Sequence, residues 1–354
     1  MQDRLRMLPP LRFTTLYKAR AWGPSPSVSL LRELGKSGLP GERIGESIGE
    51  AWEIADLPTT IEGGQSTVLG GPFDGRTLRE LRELHRDELL GVATPAPDGG
   101  FPLLIKFLDA AENLSVQVHP DAAYVRAHRN AHLKTEAWIV LAAQPGARVY
   151  RGLRASTTPA EFRAAVEHGR ALEHLESFIV ARGDCVYLPS GTCHALGAGI
   201  LAAEVQTPSD TTFRVWDWDR HDPKRPLHLD EAFSCMKFGA AQSDGRPGFV
   251  RFDSIEPLVA GGLATRRLCA SDFFTIEWID ARSPSEIPID ATGVPEVWMT
   301  LAGRARWRTS SGVINAPTGT TILRPAHVEP GEVLLDENSS ILRCFCASPL
   351  DRAL

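Results

Sequence analysis

Two histidines, a glutamate and a glutamine stand in the chain where together they could hold a divalent metal ion. Gln117 and His119 alternate within Asn113-Leu114-Ser115-Val116-Gln117-Val118-His119-Pro120. An extended backbone there turns Ser115, Gln117 and His119 to one side and Leu114, Val116 and Val118 to the other. The next apolar run, Lys134 to Leu141, puts Lys134, Glu136 and Trp138 on one face. His194 comes just after Pro189-Ser190-Gly191, where a turn closes the apolar run Cys185–Leu188. A histidine presented past such a corner is aimed by the backbone, as a metal ligand has to be. Two imidazoles, one carboxylate and one amide oxygen form a neutral-to-mononegative shell suited to zinc or another borderline ion, with room for water or substrate oxygens. A single strand histidine is more often a hydrogen-bonded core or surface residue, so the reading rests on all four in order.

The elements that must position these residues are mostly strands. The 31 Gly and 26 Pro favour many turns over long helices. The spacing G-x5-P-x-G-x2-H over Gly183–His194 resembles the second motif of the cupins, which are antiparallel double-stranded β-helices. Leu78, Leu81, Leu84 and Leu89-Leu90 predict an amphipathic helix within an insertion at about 73–92. Asp121 caps a short predicted helix to Asn130, Thr158-Pro159 opens a helical insertion to about 178, and residues 226–238 read as helical. A Gly-rich segment spans 38–50, and residues 239–248 are the best linker in the chain.

Beyond that linker the chain echoes itself. Pro295–Ala302 parallels Thr135–Ala142, and Gly319–Pro325 repeats the frame of Gly183–Pro189. Positions 136 and 183 are 47 apart and positions 296 and 319 are 23 apart, a difference of 24 that matches the helical insertion. The second copy has Ala326-His327 instead of the x-G-x2-H ending, and nothing upstream resembles Gln117-x-His119. The expected architecture is mainly β, with two cupin domains. Residues 1–238 would bind metal and carry the helical insertions, 239–248 would link, and 249–354 would form a degenerate cupin without metal.

Composition narrows the function. A net charge of −6 argues against a general nucleic-acid surface but leaves room for an anionic small molecule met by a local positive site. No apolar run approaches bilayer length and the N-terminus has no apolar leader, so a soluble, cytoplasmic protein is expected. The six cysteines lack C-x-x-C spacing and read as reduced and buried. Oligomeric state is not legible.

Four blocks in order then identify a family. Ser115–Pro120, Lys134–Trp138, Gly191–Gly197 and Ala203–Asp217 resemble the type I phosphomannose isomerases in their short bacterial form, over most of residues 10–238. The resemblance implies zinc at Gln117, His119, Glu136 and His194, and a substrate site lined by Lys134, Glu204 and Arg214. It also implies interconversion of mannose 6-phosphate and fructose 6-phosphate. The residues suit that chemistry. Moving a proton between C2 and C1 through a cis-enediol needs an electrophile and an acid/base. A cation neighbour and partial burial would lower the Lys134 pKa. Arg214 offers a planar fork, and Lys106 and Ser115 are further phosphate candidates. Glu204 either takes part in catalysis or orients Arg214 or Lys134. Trp22-Gly23-Pro24 departs from the family's usual Trp-Gly-Gly, which leaves open an isomerase of another or unphosphorylated sugar. A non-catalytic sugar-binding cupin and an iron-dependent cupin oxygenase compete with the isomerase.

Overall fold

The computed structural model describes residues 7–36, 46–129 and 131–347. The N-terminal Met1–Arg6, most of the Gly-rich segment and Asn130 lie outside the described residues. Strands dominate, and all four sheets pair their neighbours antiparallel. In the first half a seven-stranded sheet, centred on Glu136–Ala143, Ile200–Gln206 and Leu104–Ala110, faces a five-stranded sheet containing Val116–Val118, His194–Leu196 and Phe213–Trp216. In the second half a seven-stranded sheet containing Glu296–Ala302, Thr321–Arg324 and Ser340–Cys346 faces a four-stranded one. Two cupin barrels result.

Strand alternation builds three apolar layers. In Glu136–Ala143, Ala137, Ile139 and Leu141 enter a core that the two large sheets share, together with Ile276, Trp278, Met299 and Leu342 from the second half. The intervening Trp138 and Val140 face into the first barrel with Leu108, Val149, Val186 and Leu196. Trp298, Trp307, Ile322 and Val333 fill the second barrel. The period of two along the central strands thus packs both faces of the large sheets.

Each half lends a strand to the other. Leu11–Arg12 pairs with Ile322–Leu323 of the second half, and Phe249–Val250 pairs with Cys185–Val186 of the first. The predicted linker is tied down: Gln242 exchanges hydrogen bonds with both backbone groups of Leu153, and Asp244 accepts from the Tyr187 hydroxyl at 3.0 Å. All six cysteines are free and buried, as expected.

Two helical expectations change. The helix expected around Leu78–Leu90 is broken at His85 into Leu78–Leu84 and Arg86–Leu90. The break lets Leu78, Leu81, Leu89 and Leu90 all bury while Leu84 stays outside. The insertion at 158–178 is helical only over Pro159–Glu167 and a 3-10 turn at Ala171–His174. Gly169, at φ 68°, stops the helix, and Leu175–Ile179 becomes an edge strand beside Arg148–Leu153. The shorter helices do form: Ala122–Ala127 starts with Asp121 accepting from Tyr124 N, and Leu229–Cys235 falls within 226–238.

Candidate metal centre and substrate cavity

Strand register assembles the site. On the five-stranded sheet His194, Gln117 and Arg214 stand opposite one another on three adjacent strands. On the facing sheet Glu136 pairs with Gln206, and Glu204 lies between Trp138 and Lys106. Residues as far as 100 positions apart, such as Lys106 and Gln206, thereby meet inside one barrel.

His119, Glu136 and His194 place ligand-capable atoms within 4.8 Å of one another, all buried, in the single such cluster among the described residues. His119 Nε2 lies 3.4 Å from Glu136 Oε2, and His194 Nε2 lies 3.1 Å from Oε1. Each ring is anchored by its other nitrogen, His119 Nδ1 on the Thr211 carbonyl at 3.1 Å and His194 Nδ1 on the Thr192 carbonyl at 2.8 Å. A carbonyl can only accept, so each Nδ1 carries the proton and each Nε2 lone pair points inward. His119 Nε2 and both Glu136 oxygens are buried without a hydrogen-bond partner. Lys134 Nζ stands near Glu136 Oε2 only, and the imidazole lone pairs converge with the carboxylate without a donor at His119 Nε2 or Glu136 Oε1, so this donor set fits a bound metal. Burial and Lys134 push the His119 pKa down to about 3 against the pull of Glu136, which keeps the imidazole neutral as a ligand must be. Burial opposes the Glu136 charge, yet the Lys134 ammonium holds that carboxyl well below its usual range.

Gln117 touches the same cluster, with its Nε2 3.3 Å from His194 Nε2 while Ser115 Oγ donates to its Oε1 at 3.2 Å. As placed, the amide turns its nitrogen inward. Rotating it by a half-turn exchanges the two ends and leaves Ser115 accepting from the amide nitrogen.

A cavity of about 280 Å³ opens beside the cluster, and Gln117, Ser115, Lys134, Lys106, Glu204 and Arg214 all line it. A larger hollow of about 370 Å³ lies between residues 9–12 and 309–315, and none of the metal-capable residues lines it. Lys134 Nζ is 2.8 Å from Glu136 Oε2, close but not aligned as a hydrogen bond. Burial works against the Lys134 charge, but Glu136 and Glu204 outweigh it and its pKa is raised. That reverses the expected lowering, because two carboxylates, one contributed by a distant strand, face the ammonium. Lys106 Nζ is 2.8 Å from Glu204 Oε2 and donates to Gln206 Oε1 at 2.7 Å, so its charge is already compensated. Arg214 is held at one end by the Pro226 carbonyl, 2.9 Å from its Nη1, while its Nε makes no hydrogen bond and lies 3.9 Å from Asp217 Oδ1.

Sequence reasoning missed part of the lining. Arg20, Glu50 and Trp52 enter from the N-terminal strands, and Lys224 and Arg225 from the loop after Trp218. The density of cations between Arg214 and Arg225 was a readable signal. The fold of that loop was not, since Trp218, Asp219 and His221 all take positive φ.

Residues 11–138 match the family model for the catalytic domain of type I phosphomannose isomerases. The mannose-6-phosphate isomerase of Streptococcus mutans is 37% identical over 304 residues, which is 85% of this chain and 87% of that one. The chain belongs to the type I phosphomannose isomerase family. The mannose-6-phosphate isomerase ManA of Bacillus subtilis is 40% identical over 232 residues, 64% of this chain and 68% of the relative. A crystal structure of the mannose 6-phosphate isomerase from Bacillus subtilis superposes with a TM-score of 0.80 at 27% identity, over 95% of this chain and 99% of that one. A putative mannosephosphate isomerase from Archaeoglobus fulgidus shares the fold, with a TM-score of 0.74 at 19% identity over 97% and 100% of the two chains.

Proposed function

We propose that this protein is a zinc-dependent aldose–ketose isomerase that interconverts mannose 6-phosphate and fructose 6-phosphate in the cytoplasm. The observation that carries the reading is the buried His119–Glu136–His194 cluster, with His119 Nε2 and both Glu136 oxygens lacking hydrogen bonds, set against a cavity whose wall carries Lys134 and Arg214. His119, Glu136, His194 and the rotated amide of Gln117 would hold zinc, which when bound supplies an electrophile for the C1 and C2 oxygens.

The remaining work falls to the chain's own groups. Lys134, Glu204 and Arg214 are the proposed catalytic residues. Lys134 presents a charged donor beside the reacting oxygens and keeps it there through Glu136 and Glu204. Arg214 offers its guanidinium at the cavity wall to the anionic substrate, with Lys106 and Ser115 completing the polar wall. Placing these donors where the enediolate charge develops is electrostatic catalysis by preorganised groups. The Lys134, Arg214, Lys224 and Arg225 cations around one opening let an acidic protein receive a sugar phosphate.

A coupled assay with mannose 6-phosphate, fructose 6-phosphate, free mannose and glucose 6-phosphate, before and after chelation, tests this directly. Turnover of the first pair, lost on chelation and restored by zinc, is expected. Stoichiometric iron with oxygen uptake would sink the isomerase reading, and equal turnover of free mannose would move the substrate to unphosphorylated sugars. Arg214→Ala is expected to keep zinc while kcat/KM falls by about 10²- to 10³-fold. An unchanged kcat/KM would remove Arg214 from the site.

A further inference from the structure

Four strand tryptophans in the described residues have a carboxylate two positions away, on their own face of the strand. Three of them close on it. Trp52 Nε1 donates to Glu50 Oε2 at 2.6 Å, Trp298 Nε1 to Glu296 Oε2 at 2.7 Å, and Trp278 Nε1 to Asp280 Oδ1 at 2.8 Å. The indole leans along the strand by the distance that separates side chains i and i+2, so this closure is the ordinary outcome of the pattern. Trp138, two residues from Glu136, is the exception. Its indole donates at 3.0 Å to Glu204 on the neighbouring strand.

Register explains the diversion. Glu204 stands directly opposite Trp138, whereas in the second barrel the residue opposite Trp298 is Arg343, which cannot accept. With no acceptor across the strand, the Trp298 indole turns back to Glu296. With Glu204 in place, the Trp138 indole is occupied and neither Glu136 oxygen receives a hydrogen bond. Trp138 is fully buried, edge-on to the His194 ring at 5.3 Å, so once diverted it has little room to wander.

We infer that Trp138 and Glu204 form a positioning pair: Glu204 keeps the Trp138 indole off Glu136, and so keeps that carboxylate open to a metal ion. The pair acts on ligand availability, besides any contact Glu204 makes with substrate. The inference rests on the metal site proposed above, and its readout is zinc affinity alone.

The test uses the full chain, stripped with chelator and titrated with zinc against a chromophoric competitor. Variants are built on Lys106→Met, because Glu204→Leu would otherwise leave a buried ammonium without its partner. In that background Glu204→Leu is expected to weaken zinc binding by about 10- to 100-fold, the usual cost of losing a group that orients a ligand. Adding Trp138→Phe should restore most of the affinity, since no indole remains to capture Glu136. Glu204→Gln, which retains an acceptor oxygen for the indole, should bind zinc almost as the parent does. Equal affinity in the Glu204→Leu variant overturns the inference, and so does a Trp138→Phe/Glu204→Leu combination as weak as Glu204→Leu alone. A wild-type chain that takes up no zinc overturns the metal site itself, and this inference with it.

Discussion

The two barrels of this protein share one frame and differ in what they do with one buried glutamate. Glu136 pairs across the sheet with Leu188, and Glu296, at the same place in the second barrel, pairs with Arg324. Arg324 Nη1 lies 2.5 Å from Glu296 Oε1, and Trp298 supplies the other oxygen with a donor. The second barrel therefore carries its own cation as a side chain. Leu188 brings no charge; Lys134 stands 2.8 Å from one Glu136 oxygen without bonding it, and two imidazole lone pairs turn toward the same carboxylate. An apolar residue at this register position in one barrel and a guanidinium in the other leave Glu136 with neither oxygen hydrogen-bonded and Glu296 with both oxygens paired. The closed glutamate has its charge paired at both oxygens; the open one is the proposed ligand.

Breaking the open side should have the largest effect. His119→Ala or His194→Ala is expected to abolish zinc binding and activity together. The electrophile is worth several kcal/mol, so kcat/KM should drop by at least about 10³-fold. Metal analysis of the purified variant beside its kinetics checks this, and full occupancy with full turnover would rule out the ligand set. The closed side should respond in stability alone. Arg324→Leu leaves Glu296 buried and unpaired, which costs about 3–5 kcal/mol. Urea denaturation should show that loss while zinc stoichiometry stays at the wild-type value. A parallel loss of zinc would mean that the second barrel supports the metal site rather than merely packing against it.

Much of this contrast is legible in the amino-acid sequence itself. The alternation of Ser115, Gln117 and His119, the Lys134–Trp138 face and the missing Gly-x-x-His ending of the second copy are short-range patterns, and period-two geometry converts them directly into facing side chains. The remainder depends on register between distant strands. That Glu204 stands opposite Trp138 follows from pairing Ile200–Gln206 with Glu136–Ala143, and nothing in either segment specifies the offset. The raised Lys134 pKa escapes a sequence reading for the same reason, as one of its two carboxylates comes from that strand. Leu175–Ile179 reads as helical in the sequence because the good helix start at Thr158 carries the pattern forward past Gly169. The strand that Leu11–Arg12 adds to the opposite half is a tertiary contact that two residues cannot announce.

Glu50 offers the smallest and most specific test, because it is a second closed carboxylate located in the functional barrel. Arg20 binds both of its oxygens, at 2.9 and 3.0 Å, and Trp52 donates at 2.6 Å. Burial alone would raise its pKa, but Lys106 and Arg20 overcome burial and bring it from 4.5 to about 2. A carboxyl whose folded pKa lies below its unfolded one binds fewer protons when folded, so its contribution is fully present above pH 4.5 and is lost as pH falls toward 2. The depression corresponds to a contribution on the order of 3 kcal/mol. Denaturation series from pH 6 down to about 2 should therefore show the wild type losing stability more steeply than Glu50→Gln, with the two curves converging at the acid end. If the curves stay parallel, Glu50 is not held as a closed carboxylate, and the division between closed carboxylates for stability and one open carboxylate for the metal fails in the very barrel where it matters.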